Sequence, residues 1–280
     1  MINIIYKIID MTLPFEFMKP IFMKNAFLAF LFISPVLGLL GTMVVNNKMS
    51  FFSDALGHSA LCGLGIGAVF GLNEPLPAML IFSVIFSLLI IWIKDRNNSS
   101  MDTIIGVFSS TGIALGLILM YKSKGLSKFT NYLAGDILSV RTQDLAILFA
   151  VFIIVIVLWV FIFNKLLIVS LNQTFAISRG INTKLLEIIF TVIIAIVVTV
   201  SIKSIGILII NSLLVLPAAA SRNISRTMRQ YSFLSVAISV VCGLSGLIIS
   251  YFWNTPSGAT MVLLSAIVYF ATLFIKEVRH

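Results

Sequence analysis

Apolar residues run in blocks of about twenty along almost the whole chain, the length needed to cross a hydrocarbon core as a helix. Polar residues collect between the blocks. Ala26 to Val45, Phe51 to Leu72, Pro75 to Ile93, Asp102 to Tyr121, Leu145 to Phe163, Phe233 to Trp253 and Ser257 to Ile275 each read as one membrane span. Two further runs, Leu185 to Val200 and Ile205 to Leu216, are split only by Ser201, Lys203 and Ser204, so they read as two spans or one bent hairpin. The pattern predicts an all-α, polytopic transmembrane helix bundle of eight or nine spans. The second block is rich in glycine, with Gly57, Gly63, Gly65, Gly67 and Gly71. Small residues of this kind let membrane helices approach closely, so this span is tightly packed or lines a cavity.

Two stretches do not fit the pattern. Residues 1–25 mix Ile and Phe with Lys7, Asp10, Glu16, Lys19 and Lys24 and lack the clean apolar core of a signal peptide. They read as an interfacial amphipathic segment ahead of a transmembrane domain over 26–280. Residues 122–144 carry Lys122, Lys124, Lys128, Asp136 and Arg141 and are too polar to span. They are placed at a membrane interface.

Of the 280 residues, 60% are hydrophobic and only 10% charged, well outside the composition of a soluble domain. No room remains for a soluble catalytic domain. The formal charge of +9 suits loops at an anionic membrane face and does not indicate nucleic acid. With the N-terminus outside, eleven of the nineteen Lys and Arg fall in inside loops, which predicts an outside N-terminus and a cytoplasmic C-terminus. Cys62 and Cys242 both lie in apolar runs without CxxC spacing, so neither a disulfide framework nor a thiolate cluster is expected.

Polar groups inside apolar runs are costly and default to a functional hypothesis. Asp54 and His58, in the run SFFSDALGHSAL, are the strongest such pair, and His58 is the only histidine besides His280. Their i,i+4 spacing puts both on one helix face. A carboxylate and a neutral imidazole are suitable ligands for a zinc-like divalent ion. The same pair could instead be a buried hydrogen bond that joins helices, or a proton relay. Two ligands suit a transit point better than a closed structural site, and Ser53, Ser59, water or another helix would complete the shell. Asp102 opens a span, where the helix dipole favours an acid. Asn211 and Ser212, within GILIINSLLVLPAA, either bond across helices or line the path.

Pro217 can end or kink its span. Beyond it Arg222, Arg226 and Arg229 recur at spacings of four and three, which would form one cationic stripe on a short helix. That stripe reads as a solvated inside loop or as a docking helix for a cytoplasmic partner. GLSG at 243–246 would house a serine nucleophile only with a base in reach, and small-residue packing explains it better. No HExxH, GxxxxGK[ST] or GxGxxG motif is present, so any ATP must be bound by another chain.

SFFSDALGHSAL with its Gly-rich continuation, DTIIGVFSS at 102–110, NYLAGDIL at 131–138, SIGILIINSLLVLPAAASR at 204–222 and TPSGATMVLLSAIVYF at 255–270 together resemble the permease subunits of bacterial ATP-binding cassette importers for zinc, manganese and iron. The likeness covers nearly the whole chain from about residue 26. It implies a type II importer-like bundle in the bacterial plasma membrane, working as a homodimer with the ion path near the dimer axis. It further implies separate cytoplasmic ATPase subunits, an external metal-binding protein that hands over the ion, and a transported divalent metal with no permanently bound cofactor. By the same resemblance, Asp54 and His58 are metal contacts and residues 216–230, with Pro217 and the three arginines, form the segment that couples to the ATPase. The wording Ser-Asp-Ala-Leu-Gly-His is closer to zinc members than to manganese members. The chain departs from the commoner form at Gly57, Cys62 and Gly63.

Overall fold

The computed structural model describes residues 6–7, 16–72, 74–96, 100–123 and 137–278. Among these residues there are ten α-helices and no strand: α1 Ile21–Asn46, α2 Phe52–Val69, α3 Leu76–Arg96, α4 Met101–Lys122, α5 Thr142–Leu171, α6 Gln173–Ser178, α7 Thr183–Ile205, α8 Ile207–Ile224, α9 Met228–Trp253 and α10 Ser257–Val278. Seven are long and apolar enough to cross a membrane. The other two long helices are α2 and α8, which carry the polar residues singled out above. NYLAGDIL up to Gly135–Asp136, most of the interfacial stretch 122–144 and most of 1–25 fall outside the described residues.

Burial sorts the helices into an interior and a lipid-facing shell. Thirteen of the eighteen residues of α2 are buried, as is 72% of the most apolar window of α1 but only 17% of that of α5. α2 packs against α4 and α3, and α1 against α9 and α8. Backbones meet directly at the α1–α8 crossing, where a Cβ on Gly41 would stand 1.9 Å from the Leu214 carbonyl oxygen. Serines of α9 bond across to the α1 backbone, Ser235 Oγ to Gly38 O at 2.6 Å and Ser239 Oγ to Ser34 O at 2.9 Å. Such contacts replace the hydrophobic drive that is missing between helices in lipid. The GLSG stretch belongs to this packing: a Cβ on Gly243 would meet the Phe30 ring and one on Gly246 the Met261 side chain. Both cysteines are free and buried.

One local expectation changes and two open alternatives are decided. The first span starts at Ile21 rather than Ala26, because Pro20 takes the N-cap with φ −65° and the polar side chains that follow find partners. Lys24 lies over the Tyr6 ring at 5.8 Å, and Asn25 donates to the Val140 carbonyl at 3.0 Å. The two runs around residues 201–204 are two helices, α7 and α8, separated at Gly206, whose φ of 82° and ψ of 164° lie in a region open essentially only to glycine. Pro217 does not end its helix. It is buried inside α8, which continues to Ile224.

Candidate functional site

Asp54 sits in the first turn of α2, where the partial positive charge of the helix N-terminus favours a carboxylate. His58 follows one turn later on the same face. Along α2 these two side chains are among the few not buried, Asp54 being 44% and His58 22% exposed. Asp54 Oδ2 lies 3.4 Å from His58 Nε2. Two donors about 2.0–2.1 Å from one ion at the tetrahedral angle stand roughly 3.3–3.4 Å apart, so the pair is spaced to share an ion.

The depth of the pair follows from helix register. α2 and α4 run in the same direction, since Gly112 packs on His58, Gly116 on Leu61 and Cys62, and Gly65 on Leu119, and Cys62 Sγ donates to Gly112 O at 3.1 Å. Gly112 is midway along α4, which places His58 near half-membrane depth. α2 starts six residues before His58 and α4 eleven before Gly112, so the N-terminus of α2 begins about 8 Å further in. The positive end of the α2 dipole therefore opens inside the membrane, beside Asp54.

α8 completes the cluster. It runs antiparallel to α2, with Ile207 against Gly57, and Asn211 Nδ2 donates to Asp54 Oδ1 at 2.8 Å. One carboxylate thus holds both neighbours, Asn211 through Oδ1 and His58 through Oδ2. Two buried polar atoms here have no protein partner, His58 Nδ1 and Asn211 Oδ1. Unpaired polar atoms at membrane depth are costly, and an ion or its water shell would satisfy them.

The structure brings together Asp54, His58 and Asn211, with Ser53 and Ser212 next to them in sequence. It leaves two candidates apart. Ser59 Oγ is committed to the Leu56 carbonyl at 2.8 Å and to Ser83 Oγ on α3 at 3.2 Å. Asp102 is exposed in the first turn of α4 beside the Ser100 cap, ten residues or about 15 Å from the level of His58. Among the described residues no group of three or more His, Cys, Asp or Glu side chains comes together, so one chain offers an open pair.

The three arginines do not share one short helix. Arg222 is on the last turn of α8, Arg226 is in the connection, and Arg229 is in the first turn of α9. The break is set by capping: Thr227 Oγ1 accepts from Gln230 N at 3.3 Å, while Gln230 Oε1 accepts from Arg226 N at 3.0 Å. The result is an exposed cationic corner between two helices, and its arginines form no ion pair among the described residues.

Ion pairs between helices also hold the shell together. Lys94 pairs with Glu187 and Lys184 with Asp95 at one end of α3 and α7, while Lys203 meets Glu74 at 3.1 Å and Asp144 at 3.0 Å at the other. Glu187 was legible as a lone acid inside an apolar run. Its partner was not, because nothing local pairs residues 94 and 187.

A bundle of apolar helices around a partly open acid–imidazole pair at half-membrane depth defines a membrane transport protein. The chain belongs to the ABC 3 transport family, whose model matches residues 19–276. It is 31% identical over 253 residues to the high-affinity zinc uptake system membrane protein ZnuB of Haemophilus influenzae, covering 90% of this chain and 97% of that one. It is 29% identical over 254 residues to the manganese import system permease protein ScaB of Streptococcus parasanguinis, covering 91% and 90%. Among solved structures it is similar to a chain of PsaBC from Streptococcus pneumoniae in complex with Fab, with a TM-score of 0.81, 28% identity and 92% of each chain covered.

Proposed function

We infer that this chain is the permease subunit of an ATP-binding cassette importer for divalent transition-metal ions, with zinc as the preferred cargo. The observation that carries the reading is the Asp54–His58 pair, spaced at 3.4 Å on a helix that opens inside the membrane. Relatives named for zinc uptake and manganese import support the substrate class. Zinc is favoured by the imidazole ligand and the near-tetrahedral donor spacing.

The side-chain exposure of Asp54 supports a homodimer. A carboxylate 44% exposed at membrane depth is costly against acyl tails. Two copies facing each other would cover it and offer two carboxylates and two imidazoles to one ion. The cationic corner of Arg222, Arg226 and Arg229 docks separate ATPase subunits, which hydrolyse the ATP. α8 joins that corner to Asn211, so a push at the corner reaches Asp54 through one 18-residue helix. The same corner is cytoplasmic under the positive-inside rule, with the N-terminus outside and an external metal-binding protein delivering the ion there.

The test is zinc accumulation in cells that carry the chain with its ATPase and external binding protein. Asp54→Ala and His58→Ala each reduce uptake to background while the ATPase still co-purifies. Normal uptake by both variants overturns the assigned path.

A further inference from the structure

Nothing in the transport reading uses the seam between α3 and α7, which faces outward. A groove of about 450 Å³ there is lined by Leu89 and Trp92 of α3 and Ile188 of α7, with Asp95 and Lys184 at its mouth. Through Ile85 it continues into a second space of about 390 Å³ lined by Leu80 and by Ile196 of α7. From Leu80 to Trp92 the groove extends about 18 Å along α3. One leaflet of the hydrocarbon core is about 15 Å thick, so the groove matches the length available to one acyl chain.

Its two ends differ in chemistry. Beyond Trp92 the lining is wholly apolar. At the mouth Lys184 pairs with Asp95, while the Arg96 guanidinium lies 4.5 Å from the Trp92 ring centroid and forms no ion pair among the described residues. One positive charge is left over at the depth where Trp marks the headgroup boundary. We propose that the α3–α7 groove binds one anionic phospholipid, its acyl chain along Ile85 and Ile188 and its phosphate against Arg96. The amphipathic division of the groove selects this occupant: a zwitterionic lipid would fill the apolar part equally well, but its headgroup cation offsets its phosphate and leaves the net positive charge at the mouth uncompensated.

The test uses the full-length chain in neutral detergent, with phosphatidylglycerol or phosphatidylcholine of identical acyl chains added and retained lipid counted by native mass spectrometry. The wild type keeps phosphatidylglycerol about fivefold better, the weight of one basic residue near an anionic headgroup. Arg96→Gln, an exposed change that removes the charge together with its stacking on Trp92, removes that preference. Ile188→Trp fills the groove and lowers retention of both lipids. Equal retention of the two lipids by the wild type, an unchanged preference in Arg96→Gln, or undiminished binding in Ile188→Trp each overturns the proposal.

Discussion

α2 and α5 show how a membrane inverts the soluble rule of burial. α5 is a thirty-residue, almost wholly apolar helix with only five buried residues, whereas α2 carries an acid, a histidine and, on its buried faces, six glycines or serines, and is mostly enclosed. In water the more apolar helix would be the core. In lipid, acyl tails solvate Leu, Ile and Phe as well as a protein interior does, so apolar character gives no reason to be inside. What moves a helix inward is surface that lipid cannot satisfy, together with small residues that let other backbones close around it. α8, with Asn211 and Ser212, follows the same rule.

That contrast is open to direct attack. The largest effect is expected at Gly41→Val, where the new side chain meets the Leu214 carbonyl of α8 and no rotamer clears it. Overpacking of this kind costs roughly 1–3 kcal/mol or more, so purified yield and thermal midpoint both fall sharply. A variant as stable as wild type would mean that α1 and α8 do not touch there.

Asn211→Ala is expected to act next. It removes the 2.8 Å hydrogen bond to Asp54, and bonds to charged groups contribute about 1.5–3 kcal/mol. Zinc transport therefore falls about tenfold or more at limiting metal, with the complex still assembled. A change within twofold would reduce Asn211 to packing. The smallest effect belongs to the shell: Phe161→Leu on α5, where the ring is 72% exposed, shifts stability by no more than about 0.5 kcal/mol and leaves transport unchanged.

Much of this division can be read along the chain. The apolar blocks give the spans because helix length is fixed by bilayer thickness, and Asp54 with His58 stand out because so few ionisable residues interrupt those blocks. The partner of Asp54 is less legible: Asn211 is 157 residues away, and only the antiparallel register of α2 on α8 brings it near. Gly206 marks the break between α7 and α8 only once its backbone angle is known, since Ser201, Lys203 and Ser204 are all accommodated inside α7. The arginine spacing suggests one helix because four and three are helical intervals, yet capping by Thr227 and Gln230 splits it. Local periodicity is blind to a cap that starts a new helix.

The central claim is that Asp54 and His58 contact a divalent metal inside the membrane, and X-ray absorption at the zinc edge tests it most directly. For the zinc-loaded permease assembled with its ATPase subunits, the account predicts nitrogen and oxygen neighbours at about 2.0–2.1 Å, with an imidazole signature that disappears in His58→Ala. A wild-type spectrum without histidine, or one that His58→Ala leaves intact, would contradict it.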